Sequence, residues 1–174
     1  MLPQMSESDK PAGEVRLLAD AMLGKLAKWL RLLGYDTTYN SAWDDTTIVR
    51  LARAEGRVVL TRDRALSERR GVRALLISSD WLEEQMAQIM NELHLPPGVA
   101  GSRCSVCNAP LETIAKPDVE GRVPPYVLRT QEVFHRCPRC DKIYWPGGHW
   151  ARMQPVMSRL RDAGGKRQDA GRNS

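Results

Sequence analysis

The only four cysteines of the chain form two identical pairs, Cys104-x-x-Cys107 and Cys137-x-x-Cys140. This spacing lets two thiolates bind one metal ion, and two such pairs complete the tetrahedral shell of a structural zinc site. Two disulfides or four unrelated thiols are the alternatives, but the regular spacing favours zinc. Because four protein ligands leave no open coordination position, catalytic residues must be sought elsewhere in the sequence.

Aspartates follow several segments that have the apolar character of buried strands. Such segments are followed by Asp20, Asp63 and Asp80. Asp45 lies at the start of a predicted helix that follows another segment of this kind. Sites in open α/β sheets form outside the carboxyl ends of the strands, so these carboxylates are expected at one edge. Oxygen ligands without histidine or cysteine suit Mg²⁺ or Mn²⁺. Such ions activate water and stabilise the leaving oxygen of a phosphodiester.

Helix capping explains the same aspartates without any catalytic role. Aspartate is a favoured N-cap residue, and Asp80-x-x-Glu83 matches a capping box. Asp63 is a better candidate ligand because it lies between two arginines in the sequence. Asp20 is the strongest candidate, because it ends an apolar segment that should form a central strand.

Basic residues accompany these acids. Lys25, Lys28 and Arg31 are predicted to form a stripe on the first helix, which begins beside Asp20. Side chains that bind phosphates next to a metal ion would have this arrangement. An ordinary solvated helix face is the alternative, and it is favoured for the stripe taken alone.

Apolar patterning predicts strands that alternate with helices over residues 14–95. The predicted strands are 15–19, 35–39, 58–61 and 74–78. The predicted helices are 22–33, one that Asp44 and Asp45 open and Gly56 ends, 64–69 and one that begins at Asp80. Asp44 and Asp45 compete for one cap, and the one that does not cap is free. This alternation implies a mostly parallel sheet that is wrapped by helices on both faces. Trp81, at the start of the last helix, is expected to pack against the core or its edge rather than to stack on bases.

The length of 174 residues allows one ordinary domain and a small module. The predicted organisation is a disordered N-terminal segment (1–13), an α/β domain (14–95), a linker (96–101), a zinc module (102–150) and a basic, disordered tail (151–174). The net charge of +5 is concentrated in the zinc module and the tail, which suits a polyanionic partner. A tail that is merely solvated is the alternative.

The composition argues against membrane insertion and secretion. No apolar run approaches the length that spans a bilayer, so we expect no membrane association. The N-terminus is polar and lacks an apolar core, so we expect no signal peptide. Metal-binding thiols are compatible with a reducing cytoplasm.

Three segments of the sequence resemble the Mut-seven C-terminal RNase domain family. They are LLADAMLGKLAKWLRLLGYD, DDTTIVRLARAEGRVVLTRDRAL and RVPPYVLRTQEVFHRCPRCDKIYWPGGHW. The resemblance covers about residues 14–153 and implies a PIN-like nuclease fold with an appended zinc ribbon. It also implies RNA hydrolysis by an acidic cluster that holds Mg²⁺ or Mn²⁺. It places Asp20, Asp45 and Asp63 at the family's acidic positions, with Asp80 as the local candidate for a fourth.

The prediction is therefore a cytoplasmic, metal-dependent ribonuclease with a PIN-like α/β domain and a zinc ribbon that helps to hold RNA. The side chains expected to position the RNA backbone are Lys25, Lys28, Arg31 and Arg62. A non-catalytic RNA-binding module, with the aspartates as helix caps, and an adaptor whose ribbon binds protein are the competing interpretations. Whether a regulatory protein partner restrains the activity stays open at this level.

Overall fold

The computed structural model describes residues 15–96, 98, 100–147, 155 and 158–159. The strands are β1 (Leu17–Ala19), β2 (Thr37–Tyr39), β3 (Val58–Thr61), β4 (Ala74–Leu76), β5 (Glu112–Ile114), β6 (Phe134–Arg136) and β7 (Ile143–Tyr144). The α-helices are α1 (Gly24–Leu32), α2 (Asp45–Glu55), α3 (Arg64–Ser67), α4 (Leu82–Glu92) and α5 (Pro125–Thr130). The predicted N-terminal segment 1–13 and most of the predicted tail lie outside the described residues.

The first four strands form one parallel sheet in the order β2-β1-β3-β4. The register pairs Ala19 of β1 with Tyr39 of β2 on one side and with Leu60 of β3 on the other. A helix between consecutive strands returns the chain to the opposite edge, so every strand runs in the same direction. The ends of all four strands therefore meet at one edge of the sheet, which we call the carboxyl edge.

The central strand β1 sends its side chains alternately into two apolar cores. Leu17 packs in the core that contains Leu26 of α1 and Met86 of α4. Leu18 packs in the opposite core, which contains Ile48 of α2 and Leu66 of α3. Helices therefore cover both faces of the sheet, and the predicted α/β class is confirmed.

The cysteine-rich region folds as a separate antiparallel sheet in the order β5-β6-β7. It has a small apolar core in which Phe134, Val119 and Val127 are buried. The four cysteines cluster beside this core. This arrangement is consistent with the predicted zinc ribbon.

Arg31 joins the ribbon to the sheet domain. Its Nε donates to the carbonyl oxygen of Thr37 at 2.7 Å. Its Nη1 donates to the carbonyl oxygens of Ser105 at 3.3 Å and Val106 at 2.9 Å. Arg31 is only 5% exposed, and this burial lowers its pKa even though the nearby cysteine thiolates favour its charged form. The prediction that Arg31 contacts RNA from an exposed stripe is therefore wrong, because its guanidinium is buried and bound within the protein.

Asp36 forms the second polar link between the two parts. Its Oδ1 accepts hydrogen bonds from Arg57 Nη1 and from Asn108 Nδ2, each at 2.7 Å. The backbone N–H of Thr37 donates to Asn108 Oδ1 at 3.1 Å. Burial opposes ionisation of Asp36, but these hydrogen bonds outweigh it and hold the pKa of the carboxyl below its usual value. Asn108 therefore attaches the first cysteine loop to the start of β2.

Replacement of Arg31 by methionine should lower the free energy of unfolding by roughly 2–3 kcal/mol, because three carbonyl oxygens lose a charged donor. Lys28→Met is the matched control, since Lys28 is exposed on the same helix. It should change the free energy of unfolding by less than about 0.5 kcal/mol. Urea unfolding curves followed by tryptophan fluorescence measure both effects. Equal stability of the two variants would contradict the structural role of Arg31.

Candidate functional site

Asp20 directly follows β1 at the carboxyl edge. Its Oδ1 accepts a hydrogen bond from the N–H of Ala21 at 2.5 Å and so caps the 3-10 turn Ala21–Leu23. Its Oδ2 accepts from the hydroxyl of Thr61 at 2.8 Å, and its own N–H donates to the carbonyl oxygen of Leu60 at 2.9 Å. Asp20 is 8% exposed. Its carboxylate is held in one orientation by the hydrogen bonds from Ala21 and Thr61.

The backbone of Asp63 contacts the same threonine. The N–H of Asp63 donates to Thr61 Oγ1 at 2.9 Å. Its Oδ1 accepts from the N–H of Leu66 at 3.1 Å, which caps α3, and the residue is exposed. Thr61 therefore links Asp20 and Asp63 at one point of the carboxyl edge.

Sequence reasoning assigned no role to Thr61. The available signal was a hydroxyl residue at the end of an apolar strand, immediately before the Arg62-Asp63 pair. Thr61 is completely buried. Its hydroxyl donates a hydrogen bond to the carboxylate of Asp20 and accepts one from the N–H of Asp63.

Asp44 is the cap of α2, and Asp45 is the acid that does not cap it. Asp44 caps α2, because its Oδ1 accepts from the N–H of Thr47 at 2.8 Å, and its hydrogen bonds with Thr47 lower its pKa. Asp45 lies in the first turn of α2 and is half-buried. Among the described residues, no donor forms a hydrogen bond with the Asp45 carboxylate. Because α2 follows β2, this carboxylate lies on the carboxyl-edge side of the sheet.

Asp80 is not the helix cap that the sequence predicted. Helix α4 begins at Leu82, its N-cap residue is Trp81, and the hydroxyl of Ser79 accepts the N–H of Trp81 at 3.0 Å. The Asp80 carboxylate is 74% exposed and forms an ion pair with Arg62 instead. The capping-box prediction is therefore wrong, and Asp80 and Arg62 neutralise each other beside Asp63.

Exposed basic and aromatic side chains lie on elements that begin near this edge. Lys25 and Lys28 are exposed on α1, as their predicted helix face requires, and their contact with phosphates stays a prediction. Trp81 is 73% exposed, so the expectation that it packs against the core is wrong. Met22, which follows Asp20 in the 3-10 turn, is also exposed. Exposed indoles are side chains on which the bases of single-stranded nucleic acid stack.

The aspartates do not form a ready-made ring of carboxylates. In the described part of the chain, only the cysteines form a group of three or more candidate ligands whose donor atoms all lie within 4.8 Å of one another. The donor atoms of Asp20, Asp45 and Asp63 therefore do not all lie within 4.8 Å of one another. Mg²⁺ is commonly bound by one or two carboxylates, with water and substrate phosphates as the other ligands. Asp20 and Asp63 offer carboxylate oxygens, which are donors of the type that such an ion takes.

The four cysteine sulfurs have the spacing of a tetrahedral metal site. The Sγ atoms of Cys104 and Cys140 are 3.5 Å apart, and those of Cys107 and Cys137 are 3.4 Å apart. Ligands at the usual zinc–sulfur distance form a tetrahedron with edges of about 3.8 Å. All four are free thiols, so the cluster is positioned to bind a metal ion.

Both cysteine loops have the same local conformation. The N–H of Cys107 points to Cys104 Sγ at 3.5 Å, and the N–H of Cys140 points to Cys137 Sγ at 3.4 Å. The residue after each pair has a positive φ, 67° at Asn108 and 58° at Asp141. Asn and Asp are the non-glycine residues that adopt this left-handed conformation most readily. The sequence therefore favours two matching loops that turn their sulfurs toward one point.

Tyr144 supports the same centre, and sequence reasoning missed it. Its hydroxyl lies 3.1 Å from Cys104 Sγ and accepts the N–H of Ser105 at 3.1 Å. Burial opposes ionisation of Cys104, but hydrogen bonds from Tyr144 and from the backbone of the cysteine loop lower its pKa to about 6. A thiolate is the form that binds metal. The only sequence signal was the position of Tyr144 shortly after the second cysteine pair.

The described helices include none that is both long enough and apolar enough to cross a bilayer.

No curated protein and no solved structure matches the chain. The family model described as Mut7-C RNAse domain matches residues 15–157, which include the carboxyl edge and all four cysteines. Because this match spans most of the 174 residues, the chain belongs to the Mut7-C RNAse domain family.

Proposed function

We propose that this protein is a metal-dependent ribonuclease whose Mg²⁺ or Mn²⁺ site lies at the carboxyl edge. The observation that carries the proposal is at the buried hydroxyl of Thr61, which donates to the carboxylate of Asp20 and accepts the backbone N–H of Asp63. Family membership supports a nuclease-like, RNA-related function. The proposed ligands are Asp20, Asp45 and Asp63, which would bind the ion directly or through water molecules, and Asp80 is the candidate fourth acid, ion-paired with Arg62.

The protein groups supply position and charge. Thr61 and the N–H of Ala21 fix the carboxylate of Asp20, so that its negative charge is oriented before substrate binds. Asp63 uses Oδ1 to cap α3, and its Oδ2 has no hydrogen bond among the described residues. A bound Mg²⁺ or Mn²⁺ would polarise a phosphate and lower the pKa of a water molecule. No covalent protein nucleophile is required.

The exposed side chains around the edge support an RNA substrate. Lys25 and Lys28 provide positive charge on α1, and Arg62 lies between the strand end and Asp80. Trp81 offers an indole face to an unpaired base. We propose that these groups, helped by the basic ribbon, orient a single strand at the acids. The free thiols support a reducing, cytoplasmic location.

A non-catalytic RNA-binding module is the second candidate. It is favoured by the observation that Asp20 and Asp63 both cap helical turns, which is a sufficient structural reason for an aspartate. In the first candidate the carboxylates of Asp20 and Asp63 bind a metal ion, whereas in the second they only cap helical turns. Asparagine caps helices about as well as aspartate but is a poor metal ligand, so one substitution separates them.

We also propose that the ion at the cysteines is Zn²⁺. Four sulfur ligands with tetrahedral spacing are typical of structural zinc. The metal would order the two loops of the ribbon, and through Ser105, Val106 and Asn108 it would also stabilise the contact with the sheet domain.

Asp20→Asn and Asp63→Asn should each reduce RNA cleavage by at least about a hundredfold, because each loses a metal ligand while the cap is retained. RNA binding should stay unchanged or become tighter, since a negative charge is removed. Asp118→Asn is the matched control, because Asp118 is an exposed acid of the ribbon. Cleavage of a mixed RNA pool with and without added Mn²⁺ measures the effect, without a chelator that would strip zinc.

Two outcomes would contradict the catalytic assignment. If Asp63→Asn cleaves RNA at the wild-type rate, Asp63 is only a helix cap. If the wild-type protein binds RNA but cleaves none with either Mg²⁺ or Mn²⁺, the non-catalytic module is the correct function. Circular dichroism of each variant shows that a lost activity is not a lost fold.

Protein purified without chelator should contain one Zn²⁺ per chain by inductively coupled plasma mass spectrometry. Cys137→Ser should abolish zinc binding and expose residues 102–147 to hydrogen exchange far more than residues 15–95, because the sheet domain has its own cores. Ser105→Ala, beside a ligand but not itself one, should retain zinc. Absence of zinc from the purified wild-type protein would contradict the assignment.

A further inference from the structure

A groove of about 610 Å³ lies between α2 and the turn that follows α3. Its lining residues are Thr46, Val49, Arg50, Arg53, Ala54 and Arg69. Half of these residues are arginines and none is acidic, so the groove carries positive charge, although Arg50 also lies within electrostatic range of the Asp44 carboxylate. Polyanions bind such surfaces by electrostatic attraction.

Arg53 holds the two walls of the groove together. Its Nε donates to the carbonyl oxygen of Gly71 at 3.3 Å, and its Nη2 donates to the carbonyl oxygen of Arg70. Gly71 has a φ of 72°, and a Cβ atom there would lie 3.3 Å from Arg53 Nε. The groove is therefore built around a fixed arginine rather than formed by loose surface side chains.

Arg50 and Arg69 are left for a ligand. Both side chains are exposed, and neither is within salt-bridge distance of an acidic group in the described residues. The guanidinium group is planar, is always charged and presents paired donors that match the oxygens of a phosphate.

The topology places one end of the groove at the candidate acids. Helix α2 begins at Asp45, at the carboxyl edge, and the next residue, Thr46, lines the groove. The groove then follows α2 to Arg53 and Ala54, near the turn that contains Arg69 and precedes β4. From Thr46 to Arg53 the helical wall extends about 10 Å.

We propose that this groove binds the sugar–phosphate backbone of a single-stranded RNA and guides the strand to the aspartates at the carboxyl edge. Arg50 and Arg69 each contact a phosphate, while Arg53 maintains the groove. This inference rests on the proposed ribonuclease function, and it identifies a different surface from the lysines of α1. Helix α1 packs on one face of the sheet, and α2 packs on the other.

Fluorescence anisotropy of a short labelled oligouridine, without Mg²⁺ or Mn²⁺ so that it is not cut, tests the proposal. The double variant Arg50→Gln/Arg69→Gln should weaken binding at low salt by at least about tenfold. The slope of log K against log salt should fall by about 1.4, since each lost contact on a single strand removes about 0.7. Thermal melting should be unchanged, because both side chains are exposed. Arg16→Gln, at an exposed arginine directly before β1, controls for net charge, and Lys25→Gln/Lys28→Gln tests the opposite face.

The outcomes separate this inference from the proposed function. If the double arginine variant binds the oligouridine with the affinity and the salt slope of the wild-type protein, the proposed role of the groove is wrong. This holds whether or not the protein cleaves RNA. An equal loss per charge in Arg16→Gln would also overturn it, because the effect would then be one of net charge. If the arginine variant loses binding as expected while the wild-type protein shows no cleavage with either metal, the groove stands and the catalytic proposal fails.

Discussion

The parallel pairing of β1 with β3 is the constraint on which the candidate site depends. It places Asp20, the residue after β1, beside Thr61, the last residue of β3. A carboxylate that is this deeply buried needs hydrogen bonds to be tolerated, and Thr61 and Ala21 supply them. The alternation of Leu17 and Leu18 between two cores fixes the register, because a slip of one residue would exchange the two faces. The apolar cores therefore determine where the polar edge lies.

A second constraint joins the ribbon to this frame. Arg31 binds the carbonyl oxygens of Ser105 and Val106, which lie between the first two cysteines. A metal ion at the cysteines orders the loop whose carbonyl groups Arg31 needs, and the docked Arg31 places a positive charge next to the thiolates. Metal binding and docking of the ribbon should therefore stabilise each other. This also explains how an arginine can be buried without a carboxylate partner of its own.

The sequence predicts the frame of the molecule well and its polar contacts poorly. Strand β3 was predicted with its observed bounds, because four consecutive residues without charge are enclosed by charged residues and glycine. The cysteine cluster was predicted because two ligands at fixed spacing leave few alternatives. Both inferences use local pattern alone. The partnership of Thr61 with Asp20 and Asp63 depends on which strands are neighbours, which local pattern does not specify.

The errors have the same origin. Arg31 lies six residues after Lys25, and at 3.6 residues per turn this rotates it by about 120° around the helix, away from the exposed lysines. Trp81 was expected to pack against the core or its edge, as large aromatic side chains usually do, and α4 was predicted to begin at Asp80. The helix begins at Leu82, so Trp81 precedes the amphipathic turns and is left exposed. Small shifts in rotation or in helix start are thus enough to exchange a buried and an exposed side chain.

The central claim is that a divalent cation binds at the carboxyl edge beside the aspartates that share Thr61. Anomalous diffraction from crystals of the zinc-loaded protein grown with Mn²⁺, measured at the manganese and zinc absorption edges, tests it most directly. We predict a manganese peak in contact with the carboxylate of Asp20 or Asp63, directly or through one water molecule, and a separate zinc peak among the four cysteines. An empty carboxyl edge at saturating Mn²⁺, or manganese bound only elsewhere on the molecule, would contradict the claim.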